Sequence, residues 1–294
     1  MPIGQRPVRP RGVVLPPFLV RIVVGGIGWD EMEDPFEVIA RELHESRRLY
    51  EKEVLSSRPF QVGLRHLEGL GSDFLMAQTY VRLQRSRFAA GNDYLMFRFA
   101  PHIVEATLSI TMNAKEGLQN AARRELRFLL EAVVKLSSRD SGRDATSFAK
   151  RLIGLNDRSK KFEHYVAELA YFPEFEKPAD ANAQILSLYS ALSHYVHASA
   201  PQFRGAIART RRGEDAGMES VATLNKFNKL AFQVYDLVLV LIFHGLGLSM
   251  AGDIFTSILD ADPKWRFHKG KFIGRLSKCF DYKAEGQVRR KESS

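Results

Sequence analysis

The sequence predicts an all-α protein, an antiparallel helical bundle with an extended N-terminal arm. Three observations predict it. Apolar residues recur at the 3.6-residue helical period through most of the chain after Ser72. Gly and Pro cluster between those periodic stretches and punctuate them. No strand series alternates with the helices, which argues against a parallel α/β sheet.

Residues 1–35 are rich in Pro and Gly and read as the arm. Its basic residues Arg6, Arg9 and Arg11 precede an apolar stretch, the order found in a signal peptide. Pro16, Pro17 and Arg21 interrupt that stretch, so a strand or extended arm is expected instead. Asp34 then caps a helix that opens on Pro35. Phe36, Ile39, Ala40, Leu43, Tyr50 and Val54 carry its period to about Leu55. Residues 56–71 contain Pro59 and three glycines and are expected to form an irregular connection. Residues 1–71 thus make an N-terminal arm and charged helix.

The bundle is expected over residues 72–258, with helices near 73–89, 93–113, 117–137, 145–155, 158–171, 181–199 and 219–258. Pro101 should kink the second of these. Residues 201–217 should form a break. The apolar run from Leu230 to Leu259 contains Asp236, His244 and Asp253, and its uncharged part, Leu237 to Gly252, falls short of the roughly 20 residues that span a bilayer. It is therefore expected to be a buried central helix in a cytoplasmic protein, with no membrane partner. Residues 259–294 form a basic tail whose polar end is expected to be disordered.

Composition narrows the chemistry. One cysteine, Cys279, allows no intramolecular disulfide and no thiolate zinc site within the chain. The net charge is +9, and 28 Arg outnumber 15 Lys. That balance favours polyanionic partners, since guanidinium matches phosphate as a fork. No Walker loop, no Gly-x-Ser-x-Gly elbow and no Glu-x-x-His pair occurs. Gly26-Ile27-Gly28 lacks the third glycine of a dinucleotide fingerprint. No metal and no cofactor are expected.

Three helices carry polar faces. On 117–137, Arg124, Arg127, Glu131 and Lys135 lie opposite an apolar stripe, while Glu125 points into that stripe and needs a partner or a raised pKa. On 181–199, Ile185, Leu188, Tyr189, Leu192, Tyr195 and Val196 share the apolar side, and Ser190, Ser193, His194 and His197 the polar one. On 93–113, Arg98, His102, Glu105 and Ser109 form a stripe expected to be a buried structural network. Arg204, Arg209, Arg211 and Arg212 make a basic stretch suited to nucleic acid. In the tail, Trp265, Phe267, Phe272 and Phe280 alternate with Lys and Arg. That pattern fits base stacking, with a docked terminal segment as the alternative.

The segment Arg124-Glu125-Leu126-Arg127-Phe128-Leu129-Leu130-Glu131, followed by Leu188-Tyr189-Ser190-Ala191-Leu192-Ser193-His194-Tyr195-Val196-His197-Ala198-Ser199, resembles the HEPN superfamily over roughly residues 72–250. The resemblance implies an antiparallel helical bundle. It also implies a homodimer with its site at the seam, and metal-independent endoribonuclease action in prokaryotic defence or stress. An antitoxin or sensor would be a partner, and RNA or a nucleotide the ligand. Arg124, Arg127, Glu131, His194 and His197 would be the catalytic set. Family ribonucleases carry Arg four to six residues before His. Neither His194 nor His197 has one there, whereas Arg158 and His164 fit the spacing. The alternative is a non-catalytic helical protein that dimerises or binds a partner through its polar helix faces.

Overall fold

The computed structural model describes residues 34–85, 94–141, 146–155, 159–196, 200–210 and 217–280, apart from the side chains of 35, 84, 85, 201, 202, 206, 209 and 210. Among these residues the protein is all-α, with eleven α-helices and no strand. They are α1 (Pro35–Tyr50), α2 (Arg58–Arg85), α3 (Leu95–Lys115), α4 (Gln119–Ser141), α5 (Phe148–Gly154), α6 (Phe162–Ala167), α7 (Pro178–Ser193), α8 (Ala200–Thr210), α9 (Val221–Leu246), α10 (Leu248–Ile254) and α11 (Lys271–Leu276).

Helix α1 begins as its sequence predicts, with Asp34 Oδ1 accepting from the Phe36 amide at 2.9 Å and Pro35 in the first turn. It runs into a π-turn over Glu51–Leu55. Its C-terminal end docks against the 217–219 segment. Arg47 donates to the Gly217 carbonyl at 2.6 Å, and Tyr50 Oη donates to the Glu219 carbonyl at 3.0 Å. Phe36, Ile39 and Leu43 stay exposed.

The irregular connection expected over 56–71 is instead the first half of α2. Pro59 sits in the first turn, where its missing N–H costs nothing. The three glycines serve close approach. A Cβ on Gly63 would meet Leu224 at 2.9 Å, one on Gly71 would meet Thr111 at 3.0 Å, and one on Gly69 would lie inside the Arg266 guanidinium. The expected break over 201–217 likewise contains a helix, α8, with Pro201 in its first turn.

Helices α3 and α4 form an antiparallel hairpin closed at both ends. At one end Gly117 turns the chain with φ +72°. At the other, both carboxylate oxygens of Asp140 in α4 accept from the Leu95 and Met96 amides of α3, each at 3.0 Å. Arg151 of α5 donates to the same carboxylate at 2.5 Å, and both side chains are buried. Pro101 lies inside α3, which continues through it to Lys115.

Helix α9 packs against α2 and α4, and α7 lies against both α4 and α9. Every residue from Val234 to Phe243 is buried. By length and composition α9 could cross a membrane, yet 67% of its apolar window is covered by protein. The helix expected to reach 258 breaks at Gly247, whose φ of +87° and ψ of 157° no helix accepts.

Two polar residues on α9 act as tethers. Asp236 accepts from the Phe272 and Ile273 amides at 3.0 and 2.9 Å, capping α11. His244 Nδ1 accepts from the Phe172 amide at 3.0 Å. Its ring is enclosed by Tyr171, Phe172 and Phe175, with centroids 5.1, 4.2 and 5.0 Å away. This apolar enclosure pushes the imidazole from its ordinary 6.5 down to about 3.

A depressed folded pKa makes His244 contribute stability that is complete above its unfolded value and lost as pH falls from about 6.5 toward about 3. The expected loss approaches ~1.4 kcal/mol per pH unit within that window. His244→Asn keeps an acceptor for the Phe172 amide but cannot titrate. Its denaturant-derived stability should therefore fall less steeply than wild type between pH 6.5 and pH 4. Gly117→Ala should cost about 2 kcal/mol or more, because φ is positive there and the new Cβ would lie 2.7 Å from the Gly217 backbone. Urea melts of the variant would measure this.

Candidate functional site at the α4–α7 seam

Helix α4 turns Leu126, Leu129, Leu130, Val133 and Val134 into the core, and α7 does the same with Ile185, Leu188 and Leu192. Where the two helices meet, their polar edges interlock. Arg127 uses its whole fork. Nη2 donates to Tyr189 Oη at 2.7 Å, Nε donates to Ser193 Oγ at 3.1 Å, and Nη1 pairs with Glu131 at 2.8 Å. Glu131 also accepts from Lys135 at 2.6 Å. The Arg127 guanidinium lies 4.6 Å from the Tyr189 ring centroid, and Tyr189 in turn stacks on Phe162 at 3.7 Å. One turn earlier, Arg124 Nε donates to the Tyr195 carbonyl at 2.9 Å, just beyond the end of α7. The buried Arg123 lies 4.8 Å from the Tyr195 ring centroid and donates to Gln119 and Asn120.

Of the five residues expected to cluster, Arg124, Arg127 and Glu131 therefore meet at this seam. His194 follows the last residue of α7 and is exposed. His197 lies outside the described residues, as does Arg158. The partners that take the arginine bonds are Tyr189, Ser193 and Tyr195. Reading Tyr189 as an apolar-stripe residue hid its hydroxyl, and the Tyr195 bond is to a backbone carbonyl that periodicity does not report. The i,i+4 spacing of Tyr189 and Ser193 was the available signal, since it puts both hydroxyls on one side of α7.

The seam is net positive, with Arg123, Arg124, Arg127 and Lys135 against Glu131 alone. Arg124 is exposed, and its two terminal nitrogens make no further bond among the described residues. A phosphate oxygen could be met there.

The other expectations resolve separately. Glu125 is half-buried and its pKa is raised, first by burial and then by the neighbouring Glu105 charge. The stripe Arg98, His102, Glu105 and Ser109 is no buried network. The first three are exposed and Ser109 is half-buried. His102 and Glu105 make a surface pair at 3.6 Å. Arg204 is exposed on α8. The Arg209 side chain, Arg211 and Arg212 lie outside the described residues. Trp265, Phe267, Phe272 and Phe280 are all buried, so none offers a ring to a base and the segment is docked. No group of three or more His, Cys, Asp or Glu able to hold a metal occurs among the described residues.

The fold and seam define an all-α bundle with an arginine-rich joint between two helices. No family model, curated protein or solved structure matches the chain.

Arg127→Ala would leave Tyr189 Oη and Ser193 Oγ without their donor and Glu131 with Lys135 alone. The expected cost is about 1–2 kcal/mol in urea denaturation. A double-mutant cycle with Tyr189→Phe should show positive coupling between the two positions.

Proposed function

We propose that the chain is a HEPN-like helical protein that binds RNA at the α4–α7 seam and cleaves it without a metal, acting in the cytoplasm in prokaryotic defence or stress. One observation carries the reading. Arg124 and Arg127 bond to Tyr195 and Ser193, which lie 71 and 66 residues away in sequence. The Arg–Glu segment and the Ser–His segment thus share one joint. Arg124 would stabilise charge on the phosphate, and His197, two residues past Tyr195, would exchange a proton with a ribose 2′-hydroxyl. A second copy of the chain would complete the joint as a homodimer, and an antitoxin or sensor would restrain it.

One observation favours a second reading, a non-catalytic interaction protein. All three donor positions of the Arg127 fork are engaged within the protein, as in a joint built for rigidity. The test is cleavage of a labelled RNA in excess EDTA by wild type, Arg124→Ala and His197→Ala, alongside growth on expression. Cleavage and toxicity by wild type that both substitutions abolish, with circular dichroism unchanged, are expected. RNA left intact by wild type, or cut equally by all three, would replace the ribonuclease with the interaction protein.

A further inference from the structure

A groove of about 1370 Å³ lies away from the seam, between the first half of α2, the outer side of α9 and the segment from Pro263 to Phe272. Its charge is one-sided. Lys229, Lys264, Arg266, Lys269 and Lys271 line it, and the sole lining carboxylate is Asp236. That carboxylate is buried, and its oxygens already accept from the Phe272 and Ile273 amides. Four of the five cations are exposed lysines; of these, Lys271 is close enough to the buried Asp236 and to Asp180 to favour their ionised forms. Arg266 is pinned by Asp73 at 3.0 Å, which fixes that wall.

The groove also holds features that a bare anion would not need. Asn228 lines it and is 3% exposed. Its Nδ2 donates to the Gly63 carbonyl at 2.8 Å, an acceptor that only the amide nitrogen can satisfy. The Oδ1 must then face away from Gly63, and it is buried without a partner. A ligand N–H or O–H donor that reached it would make the hydrogen bond the fold leaves unmade. Phe232, half-buried, also lines the groove, with its ring stacked on Phe267 at 5.4 Å and 5°.

The groove is larger than the about 300–1,000 Å³ typical of small-molecule pockets, which leaves room for an extended ligand. Lysines on several elements ask for several phosphates. An unpaired acceptor and an aromatic ring among them ask for unstacked bases, whose edges donate and whose faces stack. A planar anionic membrane would reach the rim lysines but not Asn228.

We infer that this groove is a binding track for single-stranded nucleic acid, with phosphates on Lys229, Lys264, Lys269 and Lys271, a base edge at Asn228 and a base face near Phe232. The track goes beyond the seam reading and stands without it. The seam fails on absent cleavage, whereas the track fails on absent lysine-dependent binding.

The experiment is fluorescence anisotropy of the full chain with end-labelled ten-nucleotide single-stranded RNA, the same sequence as DNA, and its duplex, at several KCl concentrations. Lys229→Glu, Lys264→Glu and Lys269→Glu combined should weaken single-strand binding at least tenfold. They should also lower the slope of log affinity against log salt by about 2, near 0.7 for each lost phosphate contact. Phe232→Ala should weaken binding several-fold with the slope unchanged. The RNA and DNA arms decide which sugar the track prefers. If the triple variant unfolds, the Lys229→Glu, Lys269→Glu pair is used, with a slope change of about 1.4. A folded lysine variant that binds like wild type would overturn the inference. Equal affinity for the duplex would do so too, as would binding to phosphatidylserine vesicles without binding to either oligonucleotide.

Discussion

The fold depends on a single long apolar helix that its neighbours must cover. From Val234 to Phe243 every residue of α9 is buried. A helix buried all round needs partners on every side, and α2, α4, α7, α10 and α11 all pack against it. Covering it also fixes where the connecting segments go. Asp236 draws the C-terminal segment across one side by capping α11, and His244 draws the 171–175 segment across another by accepting the Phe172 amide. Both are polar groups buried at some cost, which shows in their displaced titration. Burial raises the Asp236 carboxyl to about 6 despite two amide donors and pushes His244 down to about 3. In exchange, each gives a featureless apolar rod one defined register for what lies on it.

Much of this was legible in the sequence because periodicity is local. The all-α class follows from the 3.6-residue repeats, and the start of α1 follows from Asp34 and Pro35. The polar side of α4 is readable from Arg124, Arg127 and Glu131. What was not legible depends on a partner distant in sequence. Gly63, Gly69 and Gly71 look like loop residues until Leu224, Arg266 and Thr111 are brought against them. The C-terminal aromatics alternate with cations, a pattern that a stacking platform and a docked amphipathic segment share. Only the burial of Trp265 and Phe272 separates the two.

The candidate seam was half legible for a related reason. Tyrosine has an apolar ring and a polar tip, so a residue counted toward the core by period can still complete a polar joint. Tyr189 does both at once, stacking on Phe162 and accepting from Arg127. The basic tail that supplies Lys264, Lys269 and Lys271 was legible, but its apposition to Lys229 and Asn228 was not. The groove's cations come from α9 and from a segment more than thirty residues later, and Asn228 looks like an ordinary helix residue until Gly63 claims one end of its amide.

The closed α3–α4 hairpin restricts where this chain could change length. With Gly117 at one end and Asp140, Leu95 and Arg151 at the other, the hairpin carries its own ruler. Arg151 belongs to the chain that leaves α4, so the distance from Ser141 to Arg151 is tied to the same clamp. The spacing between Gly117 and Asp140 would have to be kept residue for residue. That same span carries Arg124, Arg127 and Glu131, so the seam inherits a fixed address from a stretch of chain that cannot change length.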